Sequence, residues 1–181
     1  MAKNCAVIQP ASPMKYVEHK EMRTMEKILS VIPGTYRSKS FGRKDSFTII
    51  CTDQRTIFAR FTSQMMKDAV KESRDKAREE GKGFFAQWGA QMSSASHYHK
   101  KYWEMAPADI LSEAEDNFDL THDQLVKVKI KKKVEHDEES FEVKTELQFE
   151  TIKDKYKFMI DSYSKDTVET FRQVYGAKAQ T

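Results

Sequence analysis

Stretches of period-two alternation recur along this chain, separated by one long stretch with a helical period. The clearest pair is "DSFTIICTD" and "QRTIFARFT", residues 45–62, two β-rich runs around a tight turn near Thr52–Arg55. Phe47, Ile49 and Cys51 fall on one face of the first run, and Ile57, Ala59 and Phe61 on one face of the second. Phe58 and Arg60 point the other way. That pattern predicts a β-hairpin. Upstream, "KILSVIPGTY" predicts a strand stopped or bent at Pro33-Gly34. Residues 1–24 predict an N-terminal extension, in which Val7 and Ile8 are candidates for an edge strand.

After residue 62 the period changes. "SQMMKDAVKESRDKAREEGKG" carries Met66, Val70, Ser73 and Ala77 at spacings of three and four among charges of both signs. It predicts a helix ended by Gly81 and Gly83. The aromatic-rich "FFAQWGAQMSSASHYHKKYWEM" predicts helical segments folding back on the first, and "APADILSEAED" a short helix starting near Pro107. Residues 63–115 read together as one helical insertion.

Alternation then resumes. "FDLTHDQLVKVKIKKK" sets Val126, Val128 and Ile130 against lysines. "SFEVKTELQFET" sets Phe141, Val143, Thr145, Leu147 and Phe149 inward, and "DKYKFMID" does the same with Tyr156, Phe158 and Ile160. Each predicts a strand of an antiparallel sheet with one wet face. "SKDTVETFRQVYG" predicts a closing helix with Asp166 as N-cap, Glu169 completing a capping box, and Val168, Phe171, Val174 and Tyr175 as its apolar face. Residues 177–181 read as a tail.

Composition narrows the function classes. The 181 residues suit one domain with a large insertion. They are 39% hydrophobic and 33% charged, and the mean hydropathy is -0.74, so a modest core with long solvated faces is expected. Thirty-one basic against 28 acidic residues leave a net charge of +3, so charge recognition must be local. No apolar run approaches the ~18 residues of a membrane span, and the N-terminus has no signal-peptide core. A cytoplasmic protein is expected, with peripheral membrane contact open. Cys5, in the N-terminal extension, and Cys51, on a buried strand, are expected as reduced thiols, and no zinc-type CxxC spacing exists.

About six or seven antiparallel strands followed by one capped amphipathic helix is a specific order. It resembles the pleckstrin-homology (PH) superfold, in particular its prokaryotic PH-like and GRAM-like relatives. The residues that carry the resemblance are "FTIICTDQRTIFARF", similar to the strand–TDxR–strand hairpin of those domains, "LVKVKIKKK" and the final "VETFRQVYG". It spans roughly residues 25–62 and 117–176. It implies an α+β fold: a PH-like antiparallel barrel of about seven strands, built from two nearly orthogonal sheets, capped by the C-terminal helix. It implies no catalytic activity and no cofactor. In phosphoinositide-binding PH domains the loop between the first two strands holds phosphates, and here that loop is "GTYRSKSFGRKD". The resemblance makes Arg37, Lys39, Arg43 and Lys44 a candidate anion or lipid-headgroup site.

Other motifs have plainer readings. "KVKIKKK" is a lysine-coated strand face, for which cross-strand pairing to the acids nearby is the expected role. No nucleic-acid motif accompanies it, and no nucleic-acid partner is expected. His97 and His99 lie two apart, a spacing that does not chelate on a helix, and no further ligands cluster with them. Phe84, Phe85 and Trp88 could pack a helical hairpin onto the sheet, form a protein interface or anchor at a membrane. No nucleophile elbow, P-loop, zincin or dinucleotide motif is present, and nothing in the sequence brings Asp53, Arg55 and His122 together. The expectation is a non-catalytic interaction module that binds a protein partner or a second copy of itself. Its alternative is a peripheral binder of anionic headgroups through residues 37–44.

Overall fold

The computed structural model describes residues 26–79, 97–136 and 141–181. Cys5, Val7, Ile8, Phe84, Phe85 and Trp88 lie outside them. The described chain is α+β. It contains β1 (Ile28–Ser38), β2 (Lys44–Thr52), β3 (Arg55–Phe61), helix α1 (Ser63–Glu79), a 3-10 helix (Tyr98–Trp103) and helix α2 (Pro107–Ser112). Then follow β4 (Phe118–Thr121), β5 (Leu125–His136), β6 (Phe141–Thr151), β7 (Lys155–Ile160), helix α3 (Lys165–Tyr175) and the two-residue β8 (Ala179–Gln180).

All eight strands belong to one sheet, in the order β4-β3-β2-β1-β7-β6-β5-β8. The sheet is curled. Phe58 on β3 and Phe149 on β6 are four strands apart in that order, which in a flat sheet is about 19 Å. Their ring centroids lie 5.0 Å apart. The curl does not close, however, and the expected barrel gives way to an open sheet with β4 and β8 at its edges. β4 has only four residues and ends in a turn at 122–124. Across the inside of the curl, the Phe118 ring of β4 lies 5.4 Å from the Tyr156 ring of β7. The two halves of the sheet meet at two residue pairs only, Thr35↔Ile160 and Tyr36↔Met159.

β1 is bent, not stopped, at Pro33-Gly34. Its register against β2 shifts between Ile32 and Thr35, and Gly34 has φ +69, a conformation open to glycine. The "TDQR" turn is held by the Thr52 hydroxyl, which accepts from the amides of Gln54 (3.2 Å) and Arg55 (2.9 Å).

The face assignment of β3 differs from expectation. Phe47 stands opposite Arg60, Ile49 opposite Phe58, and Cys51 opposite Thr56. Phe58 therefore joins Phe47, Ile49 and Cys51 in the main core, with Leu120, Leu147, Phe149, Phe158 and α3. Ile57 and Ala59 face the other side, where Ile50, Tyr102 and Ile110 complete a second core. The outer face of β2–β3 is thus not wet. The later part of the insertion, residues 98–111, packs on it. Helix α1 is more loosely held: Met66 is exposed, and Met65, Ala69 and Val70 are half-buried.

Two further expectations are corrected. "FDLTHDQLVKVKIKKK" is two strands, and a register shift between Leu125 and Lys127 buries Leu125 and leaves Val126 exposed. The N-cap of α3 is Ser164, whose hydroxyl accepts from the Asp166 amide at 3.1 Å, so Asp166 sits in the first turn. Cross-strand pairing neutralises part of the lysine face, leaving Lys127, Lys131 and Lys132 without an ion pair among the described residues. Lys129 meets Glu150 at 2.6 Å, Lys133 meets Glu146 at 3.8 Å, and Lys144 meets Glu135 and Glu142. At the tip of this hairpin Phe141 is exposed, because β5 and β6 run on past the core.

Candidate functional site

Strand alternation decides where the four cations of the β1–β2 loop go. Arg37 pairs in register with Asp45, on the face that carries Phe47 into the core, and its guanidinium lies 5.7 Å from the Phe158 ring. Lys44 and Tyr36 are on the opposite face, with the Lys44 ammonium 4.0 Å over the Tyr36 ring. The strands therefore send Arg37 and Lys44 to different sides of the sheet. Lys39 and Arg43 bracket the turn itself, joined by a bond from the Lys39 amide to the Arg43 carbonyl at 2.7 Å.

Carboxylates neutralise part of this charge. Lys39 lies 2.5 Å from Asp45, which also accepts from Arg60 at 3.0 Å. The hydrogen bond from Lys39, with Arg60 behind it, holds the Asp45 carboxyl below its ordinary 3.8. Arg60 also pairs with Asp116. Lys44 is 4.0 Å from Asp161, which accepts from the Tyr36 hydroxyl at 2.7 Å. Arg43 alone of the four makes no ion pair or ring contact among the described residues.

Between the cations stands a residue that the sequence reading passed over. Phe41 is fully exposed, at 100%. It has φ +62, ψ +34 and is followed by Gly42 at φ +68. A left-handed conformation costs a bulky residue about 1–2 kcal/mol. Phe41 is the sole non-glycine residue with positive φ among those described. Neither packing nor local preference accounts for an aromatic here. The signal was legible as an aromatic before a glycine inside a basic run, "RSKSFGRK".

His97 starts the 3-10 turn and His99 lies within it, and among the described residues no group of three His, Cys, Asp or Glu side chains could hold a metal ion. No family model, curated protein or solved structure matches this chain.

At the far end of β2 and β3 a polar cluster does assemble. Arg55 clamps Glu26 through Nε (2.9 Å) and Nη2 (2.8 Å) and reaches Asp119 through Nη1 at 3.1 Å. Asp53 accepts from the Lys27 amide at 2.9 Å. These bonds tie the start of β1, the hairpin turn and β4 together. The Tyr175 hydroxyl sits 2.6 Å from Thr56 Oγ1 and 3.3 Å from Cys51 Sγ, all buried. Burial pushes the Cys51 thiol up to about 12, so it is an inert core group.

His122 packs against the Tyr175 ring at 5.7 Å, and its Nε2 is buried without a hydrogen-bond partner. Burial, and then the Lys178 charge, hold its pKa below the ordinary 6.5. A depressed histidine pKa leaves stability intact above 6.5 and removes it as pH falls through the folded value. Thermal midpoints measured from pH 7.5 to pH 5 are expected to fall for the native chain and to fall less for His122→Gln. Equal slopes would remove His122 from that role.

Proposed function

We propose that this chain is a non-catalytic interaction module of PH-like type, and that Phe41 on the β1–β2 loop is its contact residue for a protein partner or a second copy. What supports the PH-like reading is the strand order β4-β3-β2-β1-β7-β6-β5 followed by one helix that packs into the curled sheet. What supports the contact is Phe41 itself: a strained, fully exposed aromatic beside Arg43. Aromatic and arginine side chains are the commonest anchors of protein interfaces. Pairing of Lys39 and Lys44 to carboxylates weighs against a phosphate cradle built from all four cations.

A second reading keeps one specific support. An exposed aromatic flanked by an unpaired arginine also suits insertion at an anionic membrane surface. Phe41→Asn separates the possibilities, because asparagine tolerates the left-handed conformation. The variant is expected to fold with an unchanged or higher thermal midpoint. Under the protein reading, concentration-dependent association by sedimentation velocity, or binding to an isolated partner, is lost in the variant and no vesicle binding is seen. Under the membrane reading, the native chain sediments with anionic vesicles in a salt-sensitive manner, and Phe41→Asn and Arg43→Ala each weaken it. A variant that retains every association of the native chain sinks both.

A further inference from the structure

Residues 176–181 lie as a strap along the edge of β5. After α3 the chain turns at Gly176, which has φ +52, passes through a 3-10 turn (Gly176–Lys178) and runs into β8. β8 is the slightest element of the sheet. It pairs with β5 in parallel at two positions, Val128↔Ala179 and Lys129↔Gln180. Ala179 is half-buried and packs against the main core. Beside this pairing, the Lys178 ammonium donates to the His122 carbonyl at 2.6 Å, which ties the strap to the turn between β4 and β5. An exposed bond of 2.9 Å from Arg172 Nη2 to the Thr181 hydroxyl ties it to α3. The strap is independent of the Phe41 loop.

His122 is held far more firmly than the strap. Its amide donates to the Gln54 carbonyl at 3.0 Å, joining its turn to the β2–β3 turn. Its ring packs on Tyr175, the last residue of α3. Its Nε2 is buried and has no partner among the described residues. A protonated imidazole carries a donor on both nitrogens, so Nε2 would present its proton to no acceptor. It would also set a second cation beside the Lys178 ammonium.

The charges around the ring do not offset this. Glu26, before β1, is engaged by Arg55 and the Thr52 hydroxyl, and Asp53, in the β2–β3 turn, by the Lys27 amide. Asp123, in the turn of His122 itself, is exposed. The Tyr175 hydroxyl is engaged by Thr56 and Cys51. Burial and Lys178 outweigh the three carboxylates and favour the neutral ring. Protonation is relieved by moving either the ring or Lys178, and Lys178 sits on the weaker element.

We propose that residues 176–181 are a pH-operated strap: beside the neutral His122 ring Lys178 holds β8 against β5, and protonation of the ring releases it. Release uncovers the edge of β5 at Val128 and Lys129 for pairing with another strand. The direction follows from linkage. An open strap returns His122 toward its ordinary 6.5, so the closed strap keeps its full advantage above pH 6.5 and loses it as pH falls through the lower closed-state value.

The test uses the full chain labelled with ¹⁵N, with backbone order parameters measured at pH 7.5 and pH 5. Those of Lys178, Ala179 and Gln180 are expected to fall from about 0.85 to below about 0.6, while those of Phe58 and Phe149 stay rigid. The midpoint of the loss should coincide with the titration of the His122 ring. His122→Gln, which takes up no proton, should keep the strap rigid at both pH values. Lys178→Met keeps the stem and removes the ammonium. It should loosen the strap at both pH values and raise the titration midpoint of His122. Three outcomes overturn the proposal: a strap that stays rigid at pH 5 in the native chain, equal loosening in His122→Gln, or loosening only when Phe58 and Phe149 loosen with it. Should His122→Gln fail to fold, the Lys178→Met chain decides, and an unmoved His122 midpoint there overturns the proposal as well.

Discussion

Replacing Phe58 with alanine is expected to cost about 3–5 kcal/mol, the range for a fully buried phenylalanine. Phe58 is 0% exposed and sits where the curled sheet meets itself. Its ring stacks on Phe118 at 4.6 Å and on Phe158 at 4.8 Å, and meets Phe149 edge-on at 5.0 Å. Those rings belong to β4, β7 and β6, so one side chain bridges both halves of a sheet whose halves share only two backbone pairs. A domain of this size is stable by about 5–15 kcal/mol in total, so the variant should be folded marginally or not at all. Urea denaturation followed by near-ultraviolet circular dichroism measures the loss. Phe58→Leu, which keeps most of the volume, should recover much of it. Ala59 is the control position: it is equally buried but lies on the other face, in the second core. A loss under about 1 kcal/mol for Phe58→Ala would mean that the two halves do not close over that ring.

Ending the chain at residue 163 is expected to abolish cooperative unfolding. The truncation removes α3 and with it Val168, Phe171 and Tyr175, all buried in the main core. Each such side chain contributes roughly 1.5–3 kcal/mol through burial alone. The cavity left behind adds to that, because Phe171 stacks on Tyr175 at 5.6 Å and both approach Phe149 at 6.1 Å. The truncated chain should bind a hydrophobic dye and lack a sharp thermal transition. Tyr175→Phe is a finer probe of the same contact. It keeps the ring and removes the hydroxyl that faces Thr56 and Cys51, leaving a buried hydroxyl short of its partner at a cost of about 1–3 kcal/mol. A chain without α3 that still melts cooperatively would show that the curled sheet is self-sufficient.

The elements were more legible than their partners. A tight turn at "TDQR" between two alternating runs follows from residue types alone, as does a helix with Val168, Phe171 and Tyr175 on one side. The face of β3 that goes into the main core does not follow. Ile57 and Ala59 on one side and Phe58 on the other are both acceptable buried faces, and the sequence reading put the wrong one in the main core. Both are buried, because residues 98–111 cover the face opposite Phe58. That cover comes from a segment about forty residues further along, and local alternation carries no record of it. The displaced Val126 has a similar cause: one extra residue at a bulge reverses the parity of everything before it.

The candidate sites divide in the same way. A cluster of Arg37, Lys39, Arg43 and Lys44 is a fact of sequence, but its charge is not. Asp45 is a near neighbour along the chain, whereas Arg60, Asp116 and Asp161 reach the loop only after folding.

By itself, then, the sequence determined most of the strands and helices, where most turns fall, and that lysines would line one face of β5, but not the two-residue β8 in the stretch that reads as a tail or the break between β4 and β5. The features it determined depend on side-chain period and on backbone preferences a few residues long. Tertiary structure alone decided that the sheet curls without closing, that β2 and β3 are buried on both faces, and that Phe41 is left fully exposed while two of its four basic neighbours, Lys39 and Lys44, pair with carboxylates. Those outcomes depend on which distant surfaces meet, a matter of long-range packing and Coulomb pairing that local periodicity does not encode.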